Sequence, residues 1–377
     1  MRRPSESIFR MKNGLSNMIK SNYYMPILKW KRAEQGAIKA LPDSIKENIT
    51  PLIQFVMPNY KPEEQLDDII RRFAAHIPQL PEKLIEAWGR SQVFIDVSLL
   101  FTTSLKANSL ATILSKGRGL GGNFVPVVHL NDDQAIKKAA FSSAKESGCG
   151  LCLRLVCPDF EDVTKMNGTI MEFISSGGLA RKDIDLLVDI KETQGNGDKY
   201  AKYFGLSQKM PHLLSWRTFI FASGSFPEDL SKCRIDEENL IPRLDWTSWK
   251  KNAKKGIQRK PTFSDYTIQY PIYKEATQFF APTTSIKYTL EDEWLIMKGQ
   301  KQNYEQYLAS AAELVKDPRY FGENFSYGDK FIKEKADHFN VYIKNPEVKG
   351  TGSTETWLRA GINHHLVLAV RQVAKLS

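Results

Sequence analysis

The chain has 377 residues and a net charge of +10, with 42% hydrophobic and 11% aromatic residues. That is enough apolar material for a substantial core, and it excludes wholesale disorder. With 23 Gly and 18 Pro it is neither collagen-like nor low-complexity, and no run approaches the ~18 consecutive apolar residues of a transmembrane helix. Four Cys in a chain of this length do not make a disulfide scaffold, so a reducing, cytoplasmic setting without membrane insertion is expected.

Residues 1–24 carry Arg2, Arg3, Arg10, Lys12 and Lys20 against Glu6, without the apolar centre of a secretory signal. They read as a flexible basic extension. From residue 25, short β-rich runs alternate with helical patterns. The runs are Pro26–Lys31, Thr50–Val56, Val93–Val97, Val125–His129, Leu151–Val156, Asp185–Ile190, Arg217–Ser223 and Pro242–Trp246, with starts 24 to 43 residues apart. Each interval fits a strand, a helix and two loops. Between them, Leu66, Ile69, Ile70, Phe73 and Ile77 recur at helical spacing, and Asp132 and Asp133 make an acidic start for a helix over 135–145. Near-continuous apolar strands indicate a parallel sheet covered on both faces. Eight β/α units over 25–250 therefore predict a (β/α)8 barrel, with an open doubly wound sheet as the alternative. The GRGLGG stretch at 117–122 precedes a strand rather than following one, so it reads as a loop and not as a dinucleotide cradle.

Residues 250–260 bring Lys250, Lys251, Lys254, Lys255, Arg259 and Lys260 with no acid. With the N-terminal stretch they account for the whole net charge. This run reads as a solvated linker or as a phosphate-binding patch. Beyond it, residues 251–377 form an α+β extension. Thr262–Pro271, Ser285–Thr289 and Trp294–Gly299 read as strands and 303–317, 328–338 and 354–375 as helices. Aromatic residues without much core of their own predict that the extension packs on the C-terminal rim of the barrel.

The segments YMPILKWKRAEQGAIKAL, TPLIQFV, VFIDV, PRLDW, FSDYTIQYP, IKYT and WLRAGINHH resemble the Beta protein family over residues 24 to about 370. The resemblance implies a role in antiviral defence, since family members occur in defence cargo of satellite phages and related islands, and with it a prophage setting and a toxin–antitoxin-like arrangement are expected. It implies a partner protein from the same locus that can harm the host cell. It implies no agreed reaction.

Catalysis in a (β/α)8 barrel sits at the C-terminal ends of the strands. Those ends carry Lys31, Gln54, Asp96, His129, Arg154, Asp189, Ser223 and Asp245. Lys31, Asp96, His129, Arg154, Asp189 and Asp245 are the candidate catalytic set, suited to acid–base chemistry or charge clamping, or to an ion network that fills the barrel mouth. Ser223 and Ser225 lie in a small-residue loop after the seventh strand, the usual phosphate-binding place in this fold, with Arg243 following. Lys287, Arg359, Asn363 and His364 are candidate substrate or phosphate contacts from the extension. Cys149 and Cys152 lack a second ligand pair at zinc spacing, so no structural metal is expected. A divalent ion between Asp96, Asp189 and Asp245 stays open, and no cofactor is named. Two functions follow: an enzyme acting on a phosphate-containing substrate, nucleotide or nucleic acid, for instance hydrolysing a phosphoester, or a non-catalytic protein that restrains or senses for a toxic partner.

Overall fold

The computed structural model describes residues 23–59, 61, 63–193, 195, 197–254, 256–274, 283–345 and 350–376. Of the basic N-terminal extension only Tyr23 and Tyr24 fall within these, and Lys255 of the basic run lies outside them. Eight parallel strands form one closed ring. Seven are the expected runs: β1 (Tyr24–Lys29), β2 (Leu52–Gln54), β3 (Val93–Asp96), β4 (Phe124–His129), β5 (Leu151–Val156), β6 (Ile184–Glu192) and β7 (Thr218–Gly224).

The eighth barrel strand is not the expected one. Glu238–Pro242 forms β8, which leaves the barrel to pair antiparallel with β11 (Glu293–Lys301), and β11 pairs in turn with β10 (Thr283–Thr289). Leu244–Ala253 is a helix rather than the continuation of a strand. The ring is closed by β9 (Thr262–Asp265), between β7 and β1, so the barrel runs past residue 250 to 265. The reason lies in side-chain period. Trp246 and Trp249, three apart, share a helix face and set their rings edge-on to Phe263 at 5.1 and 5.5 Å. In β9, Phe263 faces that helix while Thr262 and Ser264 alternate to the other face.

Alternation sorts the barrel into two layers. Met25, Ile27, Leu52, Phe94, Val125, Val127, Cys152, Leu187, Ile220 and Ala222 pack together as the interior. Leu28, Ile53, Ile95, Val128, Leu153 and Phe263 belong to the larger core beneath the helices. Toward the N-terminal end the interior is polar at one point. Arg217 makes a two-point contact with Asp185 (2.9 and 2.5 Å) and donates to the Cys149 carbonyl at 2.8 Å. Gly150, with φ +77°, makes room for it: a Cβ there would lie 2.3 Å from the guanidinium.

Helices Arg32–Lys39, Leu80–Trp88, Thr103–Gly119, Gln134–Ser147, Val163–Gly177, Asp198–Gln208 and Leu244–Ala253 cover seven positions around the ring. The eighth is taken by the last helix, Thr354–Ala374. Its Ile362, Leu366, Val367, Ala369, Val370 and Val373 join the main core. His365 bonds Asp265 at 2.9 Å, and Tyr24 donates to the same carboxylate. This corrects the expectation that Arg359 and Asn363 reach a substrate from an extension packed on the C-terminal rim: the last helix lies in the outer helical layer. The C-terminal segment completes the wall of the barrel, because an uncovered parallel strand pair would expose Tyr24 and Phe263.

Asn363 is fully buried, donates to the Ala37 carbonyl (3.0 Å) and accepts from the Gly328 amide (3.1 Å). It joins three helices. Arg359 is partly exposed and pairs with Glu355 at 3.0 Å. Asn363→Ala should therefore lower stability by about 2–3 kcal/mol, because two buried backbone groups lose their partners. Arg359→Ala should cost about 1 kcal/mol or less. Urea unfolding of the two variants checks the order, and equal losses would contradict it.

Candidate functional site

On β1 to β6, the interior position that follows the apolar layer by two residues carries a side chain of the top ring: Lys29, Gln54, Asp96, His129, Arg154 and Asp189. Tyr266, just beyond β9, completes it. Four of the six expected catalytic residues, Asp96, His129, Arg154 and Asp189, are thus brought together at the C-terminal end.

Arg154 is the centre, with no exposed surface. Its Nη1 bonds Asp96, its Nε and Nη2 bond Asp189 at 3.1 and 2.5 Å, and Nη2 reaches the Tyr266 hydroxyl at 2.9 Å. Gln54 donates to Asp96 Oδ2 (3.0 Å), and the Ser98 amide donates to Oδ1 (2.7 Å). Tyr266 donates to Asp189 Oδ2 (2.7 Å), and the Lys191 amide donates to Oδ1 (2.9 Å). Lys191 has φ 59°, which folds its side chain back so that Nζ stands 3.2 Å from Asp189 and 3.1 Å from Tyr266. Burial opposes ionisation of Asp189, yet Lys191 and Arg154 outweigh it and hold the carboxyl below its ordinary range. Burial likewise opposes ionisation of Asp96, and Arg154 outweighs it. His129 is desolvated to a pKa of about 4, and its Nε2 has no partner among the described residues. It is a neutral imidazole at pH 7. Every carboxylate oxygen here already accepts a hydrogen bond, so this ring is a charge-balanced plug rather than a set of free bases.

The remaining expected residues divide. Asp245 lies outside the barrel at the start of the helix Leu244–Ala253, where Ser225 donates to it at 3.0 Å. Ser225 therefore serves that helix rather than an anion. Ser223 points into the helix layer with Phe219 and Phe221. Arg243 is buried and donates to the carbonyls of Leu290 and Glu291 and to Gln372. His364 bridges Asp329 and the Thr289 carbonyl, each at 2.8 Å. With Arg359 and Asn363, these residues hold the extension and do not line the mouth. Asp96, Asp189 and Asp245 do not converge, and no group of three potential metal ligands occurs among the described residues. In the basic run, Lys250 pairs with Asp292, Arg259 donates to the Leu213, Trp216 and Arg217 carbonyls, and Lys260 donates to the Leu376 carbonyl.

Beside the plug, under the small sheet, is a cavity of about 310 Å³. Lys29, Lys31, Lys287, Phe226, Tyr270 and Tyr273 are in its lining, together with Asp229 and the Lys274–Glu228 ion pair. Lys31 and Lys287 were expected at the site; Lys29 was not. Lys29 is only 9% exposed and donates to the Tyr270 carbonyl at 3.0 Å. Lys287 stands 4.7 Å from the centre of the Phe226 ring and has no acceptor among the described residues. Burial pushes both ammonium groups down to about 8. Close by, Glu34 accepts from Gln269 (3.2 Å) through one oxygen, the other has no partner among the described residues, and burial raises its pKa to about 7. Gly361 of the last helix lets β10 sit this close: a Cβ would lie 2.8 Å from the Lys287 carbonyl oxygen.

The fold and the rim define a (β/α)8-barrel protein whose eighth helix comes from a C-terminal extension and whose mouth pairs an ionic plug with a lysine-lined cavity. The sequence matches the family described as Beta protein over residues 24–371, and the chain belongs to that family. No curated protein matches it. No helix among the described residues is long and apolar enough to cross a membrane.

Removing the central cation should be severe. Arg154→Met leaves two buried carboxylates facing each other, so a loss of roughly 3–5 kcal/mol is expected at pH 7. Part of it should return toward pH 4, where one carboxyl can protonate. Denaturant unfolding at the two pH values measures this, and a loss independent of pH would contradict the charge argument.

Proposed function

We propose that this protein serves phage defence by binding a phosphate-bearing ligand, such as a nucleotide or a nucleic-acid end, in the lysine-lined cavity. The observation that carries this reading is Lys287, a half-buried ammonium without an acceptor among the described residues, facing a concave space also lined by Lys29 and Lys31. An ammonium partly shielded from water, with a ring face but no acceptor among the described residues, gains from an anion that joins it. Phe226 and Tyr273 hold these ammonium groups over their rings, Lys287 at 4.7 Å and Lys31 at 5.0 Å from the ring centres.

Recognition is favoured over phosphoester hydrolysis. The carboxylates that hydrolysis would use as bases, Asp96 and Asp189, are saturated by Arg154, Gln54, Tyr266, Lys191 and two backbone amides. This supports the sensing role, in which ligand occupancy is relayed to a partner protein of the same defence locus.

Titration calorimetry with glycerol 3-phosphate and a nucleoside monophosphate tests the site. Lys287→Ala should weaken binding about tenfold or more, the equivalent of one lost charge contact of about 1.4 kcal/mol. The pH dependence has a definite sign. Lys29 and Lys287 are cationic below about 8 and lose their protons above it. Affinity should therefore fall between pH 7 and pH 9.5, whereas ordinary surface lysines would hold it to above pH 10. A flat profile, or unchanged affinity in Lys287→Ala, sinks the reading. A folded Lys287→Ala protein should also lose protection against phage in a plating assay.

A further inference from the structure

We propose that Lys29 is a nucleophile, and that the ligand class of this cavity includes small phosphorylated aldehydes or ketones, captured as an imine on its Nζ. The inference rests on the phosphate-binding reading of the same cavity and adds a covalent step to it.

Three features of the geometry separate Lys29 from the other cations of the barrel interior. Arg154 and Arg217 are each locked to carboxylates, and a guanidinium does not give up its proton. Among the described residues Lys29 makes no ion pair; its hydrogen bond there is to a neutral carbonyl oxygen, that of Tyr270, and its ammonium stands 5.6 Å from the centre of the Tyr273 ring. Its backbone is fixed in β1 opposite Gln54, so the amine is presented from a rigid strand end and not from a loop. Burial, with like charge from Lys31, Lys191 and Lys287, outweighs the opposing pull of Glu34 on its ammonium. Burial beside other cations is the arrangement that activates lysine amines. About one-tenth of such a group is neutral at pH 7, against well under a thousandth of an ordinary lysine.

The neighbours supply the rest. Lys31 and Lys287 face the same cavity and take the phosphate, and about 310 Å³ is room for a ligand of a few carbons. Glu34 is a buried carboxyl whose Oε2 has no hydrogen-bond partner among the described residues, and its pKa of about 7 lets it give and take protons at neutral pH.

In the step, the lone pair of the neutral Lys29 amine forms a C–N bond to the carbonyl carbon, and the carbonyl π pair moves to oxygen. That oxygen takes the Glu34 proton, and the nitrogen returns one of its own to Glu34, giving a neutral carbinolamine. Glu34 then protonates the hydroxyl, which leaves as water as the nitrogen lone pair forms C=N. One amine, one carbonyl compound and one proton become an iminium ion and one water, with no change of oxidation state.

Borohydride trapping tests the step. Full-length protein is incubated with glycolaldehyde phosphate, reduced, digested and mapped by mass spectrometry. A single secondary-amine adduct on Lys29 is expected, at least tenfold above that on any surface lysine. Inorganic phosphate should suppress it, and unphosphorylated glycolaldehyde should give far less. Lys29→Arg, which keeps the charge, should abolish the adduct with an unchanged circular dichroism spectrum. Labelling spread over surface lysines, or centred on Lys31 or Lys287, would overturn the proposal. So would no adduct; if glycerol 3-phosphate still bound, the covalent step alone would fall, and if it did not, the binding reading would fall with it.

Discussion

One guanidinium holds the mouth of this barrel together. Arg154 stands between Asp96 and Asp189 with no water-exposed surface, and two carboxylates so close in a barrel interior could not both stay ionised without it. The desolvation cost of three buried charges is met only by near-complete hydrogen bonding, which Gln54, Tyr266, Lys191 and two backbone amides provide. The consequence is positional. With the axis of the barrel plugged, the open volume at the rim lies to one side, between the loops after β1 and β7 and the overhanging β10.

That side cavity exists only because the extension is built into the barrel wall. Lys29 and Lys287 are 258 positions apart in the chain yet line one space. They meet because the last helix fills the eighth helical place and carries β10 against it through Gly361. The buried links of that docking, Asn363 to Ala37 and Gly328, His365 to Asp265, and His364 to Asp329, are polar and directional. Apolar burial alone would tolerate sliding of the helix along the wall; these bonds fix one register, and hence the position of Lys287 over the rim.

Sequence pattern revealed the barrel because seven strands are near-continuous apolar runs, which is what burial on both faces demands. The eighth escaped because Thr262–Asp265 is short and half polar, while PRLDW mimics a strand although its two tryptophans obey a helical period. At the site, Asp96, Arg154 and Asp189 were legible as polar residues ending apolar strands. Lys29 was not, because an interior lysine two residues before the more obvious Lys31 looks like part of the run PILKWK; strict alternation from Met25 and Ile27 would have found it. Lys191 needs a left-handed backbone that no local pattern announces. Tyr270, Tyr273 and Glu34 come into play only through tertiary packing. Arg359, Asn363 and His364 share the dense polar character of a site, but their partners show that a docking interface writes the same signature.

The division of labour between arginine and lysine in this rim follows from their chemistry. Where the structure needs a permanent charge, at Arg154 and Arg217, it places a guanidinium, whose planar fork matches a carboxylate and whose proton is not lost on burial. Where the cavity opens, it places ammonium groups, whose charge burial can remove. A lysine paired to a carboxylate at Lys29 would be held charged and inert. Bonded to a carbonyl oxygen and set near the Tyr273 ring instead, it pays a desolvation cost that the pull of Glu34 does not outweigh. A group kept in that condition on a rigid strand, with the Glu34 carboxyl raised to about 7 near it, is held at a cost in stability that the proposed anion would offset.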